Sequence, residues 1–481
     1  MSATDSPVTT NAEAASTEAP RSRRAVLANR VLVLLGLALS AVVGAIVSGD
    51  TLWGLLPIVL YAVLSLLGMD LVLATIVSLA SGLLIVQSSP GEAGLLLGAS
   101  TSELVTQIGI IIMLGAGVGE VLRVTGVAEN IVVGILRLTG ENSQRTVQIG
   151  IMLSCLVLVI SLGTLAGALA IAAPVLIPVA ARVGFTRSAT AAAMFLGGCA
   201  GLALAPFAGS NVAIMDAASV GYLTYLKWGA GPLALVSLAV ALFIVPFVQR
   251  RTEGTGDDYD ESEAGAAGSS AGDIPRHATA ATVTFVVVLL ATVVYAAATK
   301  ADTTFPLLAL PVVGLCVGVA ARLPKTEILT HFYRGARQMI PVFFLFWLLA
   351  ALFLVVDQMG PFNVVLDRFG PELGSASGLT FVVLIGLLGW VGIPGATAAQ
   401  VVLIDKVFGS LAAAVGIPAG VWVIALLWGS KADTYGPFPN GNMIGVMGLA
   451  RSTNLRSLLV VGWMVLVPAC LMYVVIAIVA L

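Results

Sequence analysis

Histidine is nearly absent from this chain. His277 and His331 are the only two among 481 residues, and both lie in or beside polar loops. A histidine-built metal site or proton relay within apolar sequence is thereby excluded. Charge is equally scarce, at 10% of residues with a formal net charge of −2, whereas soluble domains carry about 25% charged residues. No basic stretch interleaves with aromatics, so no nucleic-acid partner is expected. The four cysteines, Cys155, Cys199, Cys316 and Cys470, stand singly in apolar runs without C-x-x-C spacing. They read as buried thiols, not as a disulfide or metal site. GxSxG, HExxH and Walker motifs are all missing, so neither an enzyme nor a cofactor is expected. Uphill transport would have to draw on an ion gradient or on the substrate's own.

What remains is apolar. Hydrophobic residues make up 59% of the chain, with a mean hydropathy of +1.05. Apolar runs fall near 31–48, 53–68, 71–87, 105–122, 146–162, 164–181, 188–205 and 228–248. Further runs fall near 279–297, 305–321, 339–356, 376–392, 396–412, 419–430 and 457–480. A spanning helix takes roughly 20 apolar residues, so the expected fold is an all-α polytopic membrane protein of roughly 12–15 membrane segments. Length leaves open whether 164–181 and 396–412 cross or re-enter. Residues 1–30 read as a disordered cytoplasmic tail, not a cleaved signal. Residues 31–50 form an extra N-terminal span, 51–249 a first repeat, and 278–481 a second. Between the repeats, 250–277 is a flexible acidic cytoplasmic linker carrying Asp257, Asp258, Asp260, Glu261 and Glu263.

Shared landmarks carry the repeat. Gly163 and Gly184 are 21 residues apart, as are Gly395 and Gly416; Pro206-Phe207 precedes Asn211 as Pro437-Phe438 precedes Asn442; Gly126 corresponds to Gly360. Charge then orients the two copies, because Lys and Arg concentrate in cytoplasmic loops. Arg21, Arg23, Arg24 and Arg30 place the N-terminus inside. Counting spans from there, the loop at 123–145, with Arg123, Arg137 and Arg145, falls inside. Its counterpart at 357–372 falls outside, with Arg368 alone against Asp357, Asp367 and Glu372. The repeats are therefore expected to be inverted, with interrupted helices, an architecture whose binding site lies where the two breaks meet. The expected location is a cell (inner) membrane.

The breaks are Ala205–Val212 and Gly429–Met443. Proline ends a helix, glycine allows left-handed turns, and a restarting helix points its N–H groups and positive dipole end at the gap. Such a gap suits a carboxylate. Candidate substrate-binding residues are Gly163, Thr164, Gly209, Ser210 and Asn211 in the first half, with Asp216 nearby. In the second they are Gly395, Thr397, Ser430, Lys431, Thr434, Asn440 and Asn442. Lys431 has two readings: a partner for an anionic substrate, or a helix-end cation that snorkels to the interface. Asn211 lines the gap or merely N-caps a helix. Asp433 is the leading ion-coupling residue, as a proton carrier or Na⁺ ligand, since an acid in such surroundings is rare without a purpose. Asp405 is the second, or else pairs with Lys406. Glu120 and Glu129 are expected to be solvated.

The run Leu114–Gly126, the segment Ala172-Ala-Pro-Val-Leu-Ile-Pro-Val179 and the broken Pro206 segment resemble the gluconate permease family. More broadly they resemble the ion transporter superfamily, which includes dicarboxylate, citrate and lactate carriers and some Na⁺/H⁺ antiporters. Gluconate permeases carry histidine at both breaks, where this chain has Ala-Pro-Phe-Ala-Gly and Ser-Lys-Ala-Asp. The resemblance implies a hairpin plus broken helix in each half, moving as an elevator against a scaffold, with a homodimer as the expected assembly. The expected function is secondary active transport of a small organic anion, a carboxylate such as a sugar acid or a mono- or dicarboxylate, coupled to H⁺ or Na⁺. The alternative is an Na⁺/H⁺ antiporter using Asp433 and Asp405; a channel or membrane enzyme fits less well.

Overall fold

The structure, a computed structural model, describes residues 23–481 except 48, 261–276, 300, 302, 362, 365–366, 369–376 and 392–396. Among the described residues the only β contact is an isolated bridge between Thr186 and Asp258. Within the same residues ten helices are long and apolar enough to cross a membrane, and five shorter apolar helices accompany them. Large side chains such as Leu34, Phe243 and Val479 face outward, a pattern that suits lipid and not water.

In the first half the helices are α1 (Arg23–Ile46), α2 (Leu56–Leu66), α3 (Leu71–Ile85), α4 (Pro90–Ala99), α5 (Leu104–Val124) and α6 (Val127–Thr139). They continue as α7 (Gln144–Leu162), α8 (Leu165–Arg182), α9 (Arg187–Leu204), α10 (Gly209–Ala217), α11 (Tyr222–Tyr225) and α12 (Gly231–Thr252). The second half holds α13 (Ala278–Thr299), α14 (Pro306–Ala320), α15 (Lys325–Arg337), α16 (Ile340–Gln358) and α17 (Gly378–Leu388). It ends with α18 (Thr397–Ala414), α19 (Ala419–Tyr435), α20 (Gly441–Ala450) and α21 (Leu455–Ala480). Local chemistry sets several starts. Asp70 caps α3, Ser89 and Glu92 form a capping box on α4, and Ser143 caps α7. The short helices α10 and α20, and the amphipathic α15, were not among the apolar runs of the sequence.

Two packing groups emerge. In the first, α5 packs against α14, α15 and α16, while α3 joins α1, α2 and α16. In the second, α9 lies between α7 and α12, and α19 contacts α17, α18 and α21. The groups meet along α5 and through α6, which touches both α7 and α13. Within the second group the halves exchange partners: α10 packs on α18, and α20 packs on α8.

Both hairpins return to the end they start from. The Gln144 Nε2 at the start of α7 donates to the carbonyls of Val183 and Gly184 just past α8, at 3.2 and 3.3 Å. A Cβ on Gly378, which opens α17, would meet Ile417 just past α18 at 3.2 Å. Leu481 adjoins Gly378, whereas Ser452 bonds Ser188 at 2.9 Å. The 26 residues of α21 run between these two places and span about 39 Å, so the hairpins enter from opposite ends of the molecule. Matching elements have similar lengths: 18 and 18 residues for α8 and α18, 18 and 17 for α9 and α19, 9 and 10 for α10 and α20.

Small residues allow this density. On α9 a Cβ at Gly197 would lie 2.4 Å from the Met152 carbonyl, and one at Gly201 2.5 Å from that of Leu156. Gly197→Leu is expected to force α9 off α7 and destabilise the fold by about 3 kcal/mol, the upper range for overpacking. Gly134→Leu, at a position that faces open space, should cost far less. Thermal unfolding of the two variants in detergent checks the difference.

Candidate substrate and ion site

The first break follows from Pro206. The Leu202 carbonyl at the end of α9 would accept from the residue four places on, and that residue is a proline without an N–H. Asn211, fully buried, fills the gap. Its Nδ2 donates to the carbonyls of Leu202, Ala203 and Ala205 at 2.8, 3.1 and 2.8 Å. Tyr225 donates to Ala203 O at 2.8 Å, and the Tyr222 hydroxyl to Leu204 O. Asn211 therefore does not N-cap α10. It lies inside that helix and reaches back to cap the end of α9.

At the second break Gly436 adopts φ +85° and α19 stops. Asn440 N-caps α20, accepting from the Met443 N–H at 2.9 Å and donating to Thr434 O at 3.3 Å. Helix α21 crosses closely here, since a Cβ on Gly462 would lie 2.0 Å from the Tyr435 carbonyl.

Lys431 joins the breaks. Its side chain is 2% exposed, and its Nζ donates to Asn211 Oδ1 at 3.2 Å and Ser210 Oγ at 3.5 Å in the other half. The snorkelling reading is thus replaced: the ammonium lies in the interior, between the halves. Asp433 is two residues further along α19, about 200° around a helix. It turns to its own hairpin, where Thr397 Oγ1 donates to Asp433 Oδ2 at 2.9 Å. Beside it lies a cavity of about 60 Å³ lined by Trp390, Gln400, Asp433, Phe438 and Asn440 among others.

The remaining candidates are dispersed. Gly163, in the left-handed conformation at φ +66°, faces the first break, 3.5 Å from Ala208 for an added Cβ. Thr164 is half-buried at the start of α8. Gly209 packs on Ile112 of α5. Ser430 donates to Leu427 O at 3.3 Å within its own helix, and Asn442 is half-buried on α20. Thr434 is fully buried, with no hydrogen-bond partner for its Oγ1 among the described residues. Gly395 lies outside the described residues.

Asp405 sits elsewhere, in a cavity of about 470 Å³ shared with Ser219, Lys406, Ser410 and Trp422. It accepts from Trp422 Nε1 at 3.0 Å, and Lys406 pairs instead with Asp357 at 2.6 Å. The alternative of an Asp405–Lys406 ion pair is not what forms, because neighbours on a helix point about 100° apart. Glu120 is likewise not solvated. It is 9% exposed, bonded to Arg123 at 2.6 and 2.8 Å, with Arg334 of α15 at 3.9 Å.

Gln400 escaped the sequence reading. It is 2% exposed, its Nε2 donates to Gly389 O and, at 3.4 Å, to Gly429 O, and its Oε1 has no hydrogen-bond partner among the described residues. A glutamine amid the apolar residues of α18 was the available signal. Tyr222 and Tyr225 carried no such signal, since the carbonyls they cap are 18 and 22 residues away in the chain.

No group of three or more metal-ligating side chains occurs among the described residues. No curated protein matches the chain. Among solved structures, the YdaH transporter of Alcanivorax borkumensis, described as having an unusual topology, is similar with a TM-score of 0.53 and 17% identity. The similarity covers 94% of this chain and 97% of that one, and at this identity it speaks for the fold alone. Residues 92–481 match a family described as the C4-dicarboxylate anaerobic carriers. That family is one of dicarboxylate carriers, and the gluconate permeases are not singled out by it. With a polytopic helical fold and a match over most of its length, the protein belongs to the DcuC family, the C4-dicarboxylate anaerobic carriers, and is a transporter and not an enzyme.

Proposed function

We propose that the protein is a secondary active carrier for a small carboxylate, with four-carbon dicarboxylates as the leading class, driven by an H⁺ or Na⁺ gradient through alternating access. One observation carries this reading: the buried ammonium of Lys431, whose hydrogen-bond partners are two neutral oxygens at 3.2 and 3.5 Å. Charge-assisted bonds run about 2.7–2.9 Å, and an ammonium has three donors. Lys431 therefore has a third donor left for an anion, beyond the Asp433 charge that acts on it through space, and a buried cation is stabilised by such a partner. The starts of α10 and α20, with their positive dipole ends, add to the attraction for a carboxylate. Asp433 is the proposed coupling acid.

The segments 51–249 and 278–481 are read as inverted repeats, joined by the linker at 250–277 and preceded by the extra span at 31–50. Hairpins entering from opposite ends support this, as do the paired element lengths. The two packing groups suggest a carrier body moving against a scaffold, with α6 as an arm between two glycine hinges, Gly126 at φ +70° and Gly140 at φ +88°.

Uptake of labelled four-carbon dicarboxylates and of monocarboxylates into proteoliposomes, under imposed Na⁺ or proton gradients, tests the proposal. Gradient-dependent accumulation is expected. Lys431→Met should lower it by about 10- to 100-fold, the worth of one charged hydrogen bond. Failure of well-folded wild-type protein to take up any carboxylate would sink the reading.

A further inference from the structure

The orientation of the first break's polar groups bears on which ions the carrier needs, given the carrier reading above. An Asn amide can in general be turned either way. Here three carbonyls call for donors, so Nδ2 of Asn211 faces Leu202, Ala203 and Ala205. Its Oδ1 must then face Lys431. Ser210 Oγ spends its hydrogen on the same Oδ1 at 3.3 Å, which leaves its lone pairs to the ammonium. The side chains of the first break thus present acceptors to the space Lys431 occupies. That is a lining for a cation. Toward these two side chains an anion would meet oxygen lone pairs.

We infer that Lys431 is a tethered cation: its ammonium fills a monovalent-cation cradle formed by Ser210 and Asn211, so the first break works without a free ion. Both cradle residues are buried, Asn211 at 0% and Ser210 at 8% exposed. The ammonium arrives from the opposite half of the chain, on α19. Tethering keeps the cradle filled whatever the ionic composition outside. The third N–H of the same group remains for a substrate carboxylate, so cation and anion contacts share one nitrogen.

The second break is built differently. Between Gly429 and Met443 Lys431 is the only cation; its hydrogen bonds go to the first half, and it reaches Asp433 only through space. The cavity on this side carries the Asp433 carboxylate and the buried Gln400 amide, whose Oε1 has no hydrogen-bond partner among the described residues. A cation acting there has to come from solution. The two breaks, alike in backbone, have therefore divided the work: one cation is covalently supplied and the other is exchanged in each cycle.

The test is Lys431→Ala in proteoliposomes, with carboxylate uptake and radioactive Na⁺ binding measured in choline, Na⁺, K⁺ or n-propylammonium. The expected result is uptake about tenfold higher in Na⁺ or n-propylammonium than in choline, beyond any response of the wild type, together with one extra Na⁺ bound per chain. Ser210→Ala added to that variant should remove the gain. A monodisperse Lys431→Ala protein that stays inactive in every cation and binds no additional Na⁺ overturns the inference. If that variant does not fold, Lys431→Gln is judged by the same Na⁺ count. Wild-type protein that transports no carboxylate at all defeats the carrier reading instead, so the two failures are distinguishable.

Discussion

Asn211→Ala is expected to destabilise the protein by about 3–5 kcal/mol and to abolish transport. The side chain serves three carbonyls of the broken helix through Nδ2 and accepts from Lys431 through Oδ1. Tyr225 still serves Ala203 O after the change. The Leu202 carbonyl loses its side-chain donor, at about 1–3 kcal/mol for a buried group left unsatisfied, and the Ala205 carbonyl keeps only the long bond from the Ala208 N–H at 3.5 Å. Lys431 loses its shorter bond as well. Asn211→Asp separates the two roles. It keeps an oxygen for Lys431 but has no N–H for the carbonyls, so it too should unfold at a lower temperature than wild type. Thermal unfolding in detergent, followed by tryptophan fluorescence, decides. Wild-type stability in the Asp variant would refute the capping role.

The second large effect is on coupling. Asp433→Asn is expected to abolish gradient-driven accumulation while leaving exchange of labelled for unlabelled substrate within a few-fold of wild type. The reason is geometric. Asp433 bonds Thr397 at 2.9 Å and faces the small cavity of its own hairpin, whereas Lys431 faces the opposite half. Loss of the acid removes the charge proposed to bind H⁺ or Na⁺ and leaves the hydrogen bonds of the ammonium to Ser210 and Asn211 in place, although the Asp433 charge also acts on Lys431 through space. A tenfold ion gradient stores about 1.4 kcal/mol per ion, so the variant should lose about tenfold accumulation for each coupled ion under such a gradient. Parallel accumulation and counterflow measurements on one proteoliposome preparation check this. Equal loss of both activities would move Asp433 from coupling to substrate binding or folding.

The breaks around this candidate site were legible in the sequence because interruptions of apolar helices are written in residues with few other uses there. Pro206, Pro437 and Gly436 mark where α9 and α19 stop, and Ser210, Asn211, Lys431 and Asp433 stand out against an almost uncharged background. Partner choice was not legible. Asn211 could line the gap or N-cap a helix, and its place inside α10 directs its amide to the carbonyls of the preceding helix instead of a cap. Lys431 looked able to snorkel, yet its position on α19 buries it against the other half. The Asp405–Lys406 neighbours split between Trp422 and Asp357 because adjacent helix positions face different surroundings.

Composition and periodicity by themselves determined that this is a polytopic helical membrane protein with two interrupted segments, since a bilayer leaves unsatisfied backbone groups no other refuge. Glycine and proline spacing also determined where those interruptions fall. Tertiary structure decided that α8 and α18 return to the end they came from, that α10 and α20 exchange partners between the halves, and that Lys431 reaches Ser210 and Asn211 more than 200 residues away. Those outcomes depend on how whole helices pack. In an apolar chain every face is compatible with lipid, so only the close fit of small residues and the pairing of a few buried polar groups select among arrangements.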